Sequence, residues 1–423
     1  MTFNVFKNTV LLFLLAMISC GSKIKKHTNE DHVRLHKPQG NKTIIVGANQ
    51  TEAYLPLLNN KCVGIVANQT SVIFTDMVSS RTSDTNNSNN HKYTHLVDSL
   101  LALNVNIKKV FSPEHGFRGT ADAGEVVKDG IDTKTNLPIV SLYGNNKKPT
   151  PSQLEGLDIV LFDIQDVGVR FYTYISTLHY IMEACAEAQI PVLILDRPNP
   201  NGHYIDGPTL EPENKSFLGM HPIPLVHGMT IGEYAQMING EQWLANGIQC
   251  NITVIPLKNY THNTPYSLPI RPSPNLPNDQ SIKLYPSLGL FEGTNINAGR
   301  GTEYQFQRYG APFLDKRVFT FTYTPVANFG AKHPKHKNEL CYGEDLSNMT
   351  FHGEVSLKWV MQAYHNATDK TLVFNTANFT KHAGTAKLQQ QIEAGLSEAE
   401  IKATWQADLN AFKMVRKKYL IYK

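Results

Sequence analysis

From about residue 41 the chain alternates short apolar runs with amphipathic stretches. The runs are Thr43–Gly47 (TIIVG), Val63–Ala67 (VGIVA), Val105–Phe111, Ile159–Phe162 (IVLF) and Val192–Leu195 (VLIL). Runs of this kind suit strands buried on both faces, as in parallel sheets. Between them the spacing predicts helices over Tyr93–Leu103 and Thr173–Gln189. Strand alternating with helix predicts an α/β fold with right-handed crossovers. In such sheets a ligand crevice lies beyond the carboxyl ends of the strands.

Polar turns stand at those ends. Asn68-Gln69-Thr70 follows VGIVA, and Ser112–Gly116 (SPEHG) follows the run ending at Phe111. Asp163–Arg170 (DIQDVGVR) follows IVLF, and Asp196–Pro200 (DRPNP) follows VLIL. None is specific alone; their shared position at one sheet edge predicts a site there.

Past Gly207 the texture changes. Proline and asparagine become dense, and Arg271–Pro277 (RPSPNLP) and Phe291–Thr302 (FEGTNINAGRGT) read as long loops. A second, α+β domain is expected over 207–423, after a first over 41–206. It closes with a helix over Ser397–Lys418, and Leu388, Ile392, Ile401, Trp405, Leu409 and Phe412 are spaced as buried faces.

The start of the chain reads as an address. Val10–Ile18 is apolar but too short to span a bilayer about 30 Å thick. It ends in Met17-Ile18-Ser19-Cys20, which resembles a bacterial lipobox whose cysteine is lipidated. Residues 1–20 are therefore expected to be a lipoprotein signal, and the polar stretch 21–40 a tether. The product is an exported protein anchored to a bacterial membrane, facing the periplasm or the cell surface. A soluble secreted protein with an incidental Cys20 is the alternative.

Composition narrows the classes. With 423 residues, 41% of them hydrophobic and 18% charged, the chain is neither disordered nor a coiled coil throughout. Five cysteines without a C-x-x-C pair argue against a disulfide scaffold or a structural zinc. The net charge of +4 is local. Of 40 basic and 36 acidic residues, six and two lie in the first 40 positions, leaving 34 of each in the rest. Nucleic acid drops out as a partner, and recognition of an acidic ligand must rest on a few placed arginines.

Several groups could carry chemistry. Glu114, beside His115 and followed by Arg118 and Glu125, can act as a general acid if burial raises its pKa. It could equally cap the helix that follows. Asp163, Gln165, Asp166 and Arg170 precede the aromatic start Phe171-Tyr172-Thr173-Tyr174. Such polar groups suit sugar hydroxyls and the rings suit stacking, although a helix start with an internal Asp–Arg pair has the same spacing. Arg197, next to Asn199, could clamp a carboxylate or stiffen its turn with Asp196. Arg271 and Asn275 lie in one proline-rich loop, and Glu292, Asn295 and Arg300 in the glycine-rich one. That second loop lacks both the P-loop ending and the G-x-G-x-x-G spacing, so a nucleotide cofactor is not indicated. H-E-x-x-H and G-x-S-x-G are missing too, so neither a bound metal nor a serine hydrolase is suggested.

An ordered series of motifs carries a resemblance. It comprises Gly64–Thr70, Phe111–Gly119, Ala123-Gly124-Glu125, Ser141-Leu142-Tyr143-Gly144, Phe162–Tyr174 and Leu195–Pro200. It continues through His227-Gly228-Met229-Thr230, Pro272-Ser273-Pro274-Asn275, Phe291–Thr302 and Tyr419-Leu420-Ile421-Tyr422. Together these resemble the exo-β-N-acetylmuramidase family, long catalogued as a domain of unknown function. The resemblance implies a glycoside hydrolase that needs no cofactor and releases N-acetylmuramic acid from the non-reducing ends of peptidoglycan fragments. It also implies a Rossmann-like N-terminal domain, a smaller C-terminal domain and an active site in the cleft between them. By the same resemblance Glu114 is the leading catalytic carboxylate. Its partner stays open among Glu125, Asp163, Asp166 and Glu292. Asn68, Gln69, His115, Arg118, Gln165, Asp166, Arg170, Tyr172, Tyr174, Arg197, Asn199, Arg271, Asn275, Asn295 and Arg300 are candidates for binding the sugar. A surface lipoprotein that binds muropeptides without cleaving them is the competing reading.

Overall fold

Every residue of Val63–Ala67, Ile159–Asp163 and Val192–Leu195 is buried, as strands covered on both faces require. The structure is a computed structural model and describes residues 43–75, 92–119, 125, 128–350 and 353–423. The expected signal, tether and lipidated Cys20 lie outside the described residues.

Among the described residues, nine strands precede residue 256. They are β1 (Val63–Ala67), β2 (Val72–Phe74), β3 (Tyr93–His95), β4 (Ile107–Ser112), β5 (Gly130–Ile131), β6 (Pro138–Ser141), β7 (Ile159–Asp163), β8 (Val192–Leu195) and β9 (Ile252–Ile255). Seven form one sheet in the order β5-β6-β4-β1-β7-β8-β9. All its neighbours run parallel except β5 against β6. The period of two sends alternate side chains to opposite faces. Ile159 and Leu161 join one apolar cluster with Tyr54 and Leu58 of α1 (Thr51–Leu58) and Leu96, Val97 and Leu100 of α2 (Leu96–Ala102). Val160 and Phe162 join the other, which includes α3 (Pro151–Leu154) through Leu154. It takes in Leu178, Ile181 and Met182 of α4 (Tyr174–Glu187) and Ile231, Tyr234 and Ile238 of α5 (Ile231–Gly240).

Three sequence expectations shift. TIIVG is not a sheet strand. Ile45 exchanges two backbone hydrogen bonds with Lys258, and the chain then turns into a 3-10 helix at Gly47–Asn49. Gly47 sits where a Cβ would stand 2.6 Å from the Asp196 nitrogen, so its close approach needs glycine. The helix expected over Tyr93–Leu103 begins as β3, because Tyr93–His95 pair with β2; α2 then starts under a His95 cap. The boundary expected at 207 cuts the large sheet, since β9 comes from beyond it.

The rest is α+β. Strands β10 (Arg308–Ala311), β11 (Phe321–Tyr323) and β12 (Cys341–Asp345) form an antiparallel sheet in the order β10-β12-β11. Around it lie α6 (Asp279–Leu288), α7 (Lys358–His365), α8 (Thr376–Ala383), α9 (Lys387–Glu393) and α10 (Glu398–Arg416). A reciprocal Ser397–Glu400 capping box starts α10, which buries Ile401, Trp405, Leu409 and Phe412 along one stripe. Leu388 and Ile392 are buried on the separate α9. Among the described residues, no helix is long and apolar enough to cross a membrane.

Candidate active site

Where β4 ends, Pro113–Gly116 turns sharply. His115 and Gly116 both take positive φ, +71° and +81°, and the Gly116 amide donates to the Pro113 carbonyl. That turn holds Glu114 against the start of α4. Thr173 Oγ1 donates to Glu114 Oε2 at 2.8 Å, and the Tyr174 hydroxyl reaches the Glu114 carbonyl at 3.4 Å. The Tyr143 hydroxyl faces a cavity that Glu114 also lines, and it feels the Glu114 carboxylate. Burial first, then the charge of Glu114, push that hydroxyl's pKa upward.

A second carboxylate comes from the α+β part. Glu292 lies in the 3-10 turn Gly289–Gly293 that follows α6. Arg300 Nη1 pairs with Glu292 Oε2 at 3.0 Å, and Arg300 Nη2 donates to the Gly330 carbonyl at 3.3 Å. Glycines make the loop that returns Arg300 to this place. A Cβ on Gly299 would stand 2.4 Å from the Tyr304 oxygen, and one on Gly301 2.7 Å from that of Val326. Both have φ near +80°. Burial alone would raise the Glu292 carboxyl, but Arg300, then Lys335 and His382, outweigh it and hold the pKa below its ordinary value. Lys335 itself is pulled down by burial, although Glu292 opposes that shift.

Glu114 and Glu292 line the same open cavity of about 640 Å³, within the range of small-ligand sites. Aromatic rings form one wall. Phe171 and Tyr172 each meet Tyr285 edge-on, and Tyr285 meets Phe306. Gly289 allows this packing, because a Cβ there would stand 2.4 Å from the Phe171 ring.

Of the residues singled out from sequence, Glu114, His115, Tyr172, Asn275, Glu292 and Arg300 line this cavity. The others do different work. Asp163 and Arg197 form a buried bidentate pair at 2.5 and 2.8 Å, and Arg197 also donates to the Val72 carbonyl. Asn68 Oδ1 accepts from Thr70, whose hydroxyl accepts from the Gln165 amide. Gln165 donates to the Pro198 carbonyl, and Asn199 to that of Met229. Asp166 is buried, accepts from the Gly168 amide at 2.6 Å, and is pushed up by burial to about 7.

Arg170 has no carboxylate; its guanidinium holds the carbonyls of Pro208, Ile223, His382 and Ala383. Burial lowers its pKa to about 9, which leaves it charged at neutral pH. Arg118 pairs with Asp98 and Asp132 across the Phe117 ring, and Glu125 with Lys332 at 2.7 Å. Gln69 donates to the Pro272 carbonyl and, at longer range, to that of Arg271, whose own side chain is exposed. Tyr172 and Tyr174 donate to the same Pro272 carbonyl from below. Asn295 is exposed and bonds the Leu372 carbonyl.

Sequence reasoning missed Tyr143, Lys147, Tyr285, Lys381 and His382, all of which line the cavity. The first two follow β6, a strand whose Pro138–Ser141 stretch is only partly buried and so leaves no apolar run to mark it. Among the described residues, no group of three or more His, Cys, Asp or Glu could hold a metal ion.

Comparisons with known proteins place the chain in a family. The family model described as exo-β-N-acetylmuramidase NamZ, N-terminal, matches residues 63–280. Its C-terminal counterpart matches 283–422. The two meet at α6, not at 207. The peptidoglycan β-N-acetylmuramidase NamZ of Bacillus subtilis (strain 168) is 42% identical over 336 residues, covering 75% of this chain and 80% of that protein. Two crystal structures of DUF1343 family proteins from Bacteroides fragilis NCTC 9343 are similar. One has a TM-score of 0.78 and 45% identity, covering 90% of this chain and 99% of the other. The second has a TM-score of 0.74 and 28% identity, covering 90% and 100%.

Proposed function

The chain belongs to the exo-β-N-acetylmuramidase NamZ family, and from that premise we propose that it releases N-acetylmuramic acid from the non-reducing ends of peptidoglycan fragments, with Glu114 as the general acid. The observation that carries the assignment is the Glu114 carboxylate, oriented by Thr173 at the wall of a sugar-sized cavity that Tyr143 also lines. Glu114 protonates the glycosidic oxygen as positive charge develops on the sugar. Glu292, held anionic by Arg300, supplies the negative charge that an oxocarbenium-like state needs. It acts on the sugar or water, or by steadying an acetamido group that attacks in its place.

The strand order supports a Rossmann-like reading of the first part. Ranked along the chain, the six parallel strands lie in the order 3-2-1-4-5-6, that of doubly wound dinucleotide folds. The cavity draws its lining from 114–173 on one side of the sequence and from 216–382 on the other. That division supports a site between two parts of the fold. The lipobox-like Met17-Ile18-Ser19-Cys20 supports export and anchoring through Cys20. In bacteria expressing the full chain, Cys20→Ala should abolish labelling by a clickable fatty acid and release the protein from membranes.

A chromogenic β-N-acetylmuramide tests the activity. The wild-type protein should release the chromophore, and Glu114→Gln should lower turnover by roughly 10²- to 10⁴-fold with an unchanged melting temperature. Near wild-type turnover in Glu114→Gln would remove Glu114 from this role. Binding of the glycoside without any release would replace hydrolysis by recognition alone.

A further inference from the structure

N-acetylmuramic acid carries one anionic group, the carboxylate of the lactyl ether on O3. Arginine was the expected partner, but among the described residues those of the first part are committed elsewhere, and Arg271 is exposed and outside the cavity lining. Arg197 belongs to Asp163 and Arg170 to four backbone carbonyls. Arg300 faces the cavity but pairs with Glu292. Two lysines also line the cavity, Lys147 and Lys381, and their settings differ.

Lys381 is exposed on α8. Lys147 is half-buried in the loop after β6, with Nζ 4.8 Å from the centroid of the Phe217 ring. Phe217 is itself stacked on Tyr180, with ring planes 15° apart. The neighbouring lysine shows the contrast. Lys148 spends its charge on Glu183 and Glu187 of α4, at 2.8 and 2.7 Å, and so pins the loop. Among the described residues, no carboxylate forms an ion pair with Lys147. An aromatic face positions an ammonium without neutralising it. A lysine held in that way inside a cavity is set up to receive an anion from outside.

The same loop places this cation near the chemistry. Tyr143, four residues earlier, lines the cavity together with Glu114 and feels its charge. One short segment therefore presents both a contact to the acid and an uncommitted charge. Resting on the glycosidase reading above, we propose that Lys147 binds the lactyl carboxylate of the sugar being released. It thereby acts as a specificity-determining residue that separates N-acetylmuramic acid from N-acetylglucosamine.

Lys147→Met keeps the length and the contact with Phe217 but removes the charge. It should lower kcat/KM on the chromogenic β-N-acetylmuramide by roughly ten- to a hundredfold, mostly through KM, and Lys147→Arg should restore part of the loss. Calorimetry with N-acetylmuramic acid and its lactyl methyl ester gives a second readout that needs no turnover. The wild type should prefer the acid, and Lys147→Met should bind both alike. The assignment is overturned if the wild type shows no preference for the acid. It is also overturned if Lys147→Met keeps that preference, or if the loss falls on Lys381→Met instead. An inactive wild type that still prefers the acid would sink the glycosidase reading and leave the Lys147 assignment standing.

Discussion

Thr173 Oγ1 and Glu114 Oε2 lie 2.8 Å apart, joining the turn after β4 to the residue that opens α4. The donor and acceptor are 59 residues apart in sequence. This contact fixes one oxygen of the carboxylate. Thr173→Val removes the donor while keeping the shape. Turnover should fall roughly tenfold or more, with KM nearly unchanged, because the acid is misaimed and not lost. Steady-state kinetics on the chromogenic substrate reads this directly, and a change confined to KM would contradict it.

Arg300 is the foremost group keeping Glu292 below its ordinary pKa against the effect of burial. In Arg300→Met that support is gone and the Glu292 carboxyl rises. A reaction that needs Glu292 anionic then loses rate at the acidic end sooner. The acidic limb of the kcat/KM profile should move to higher pH in the variant. An unmoved limb would take Glu292 out of the reaction.

The Asp163–Arg197 pair is buried on both sides, with side-chain exposures of 0% and 2%. Removing one partner strands the other charge, which typically costs about 3–5 kcal/mol. Arg197→Met should therefore lower the urea midpoint markedly, while the remaining folded enzyme keeps its KM. A large KM change without loss of stability would return Arg197 to the substrate.

Burial raises Asp166 to about 7, above its usual value of 3.8. The folded state thus holds a proton that the unfolded chain releases at lower pH. The stability linked to that proton is complete below the unfolded pKa and is lost as pH rises through about 7. The wild type should melt progressively lower from about pH 4 to about pH 7, with no further loss from this group above that. Asp166→Asn keeps an acceptor for the Gly168 amide and should flatten this slope.

Much of this molecule is legible from its residues in order. The unbroken runs VGIVA, IVLF and VLIL become strands because nothing polar in them tolerates a solvent face. The long closing helix follows from a cap and a stripe, both local properties. The strand-end rule also leads to the cavity: Glu114 and His115 follow β4, Phe171–Thr173 lie beyond β7, and all of them line it. Sequence by itself therefore determined the sheet and its polar edge.

What it left open is which polar residues at that edge face the ligand and which face one another. Asp163 and Arg197 stand 34 residues apart at the ends of β7 and β8, and they meet because those strands are parallel neighbours. Thr70 and Gln165 meet in the same way beyond β1 and β7. A buried charge must find its partner within the protein, so these groups bond to each other and leave the cavity to others. Glu292, Lys147 and the Tyr285 wall reach it from distant elements, positioned by glycine turns and ring packing. Only the tertiary structure decides that sorting, because desolvation depends on what the folded chain brings alongside each side chain.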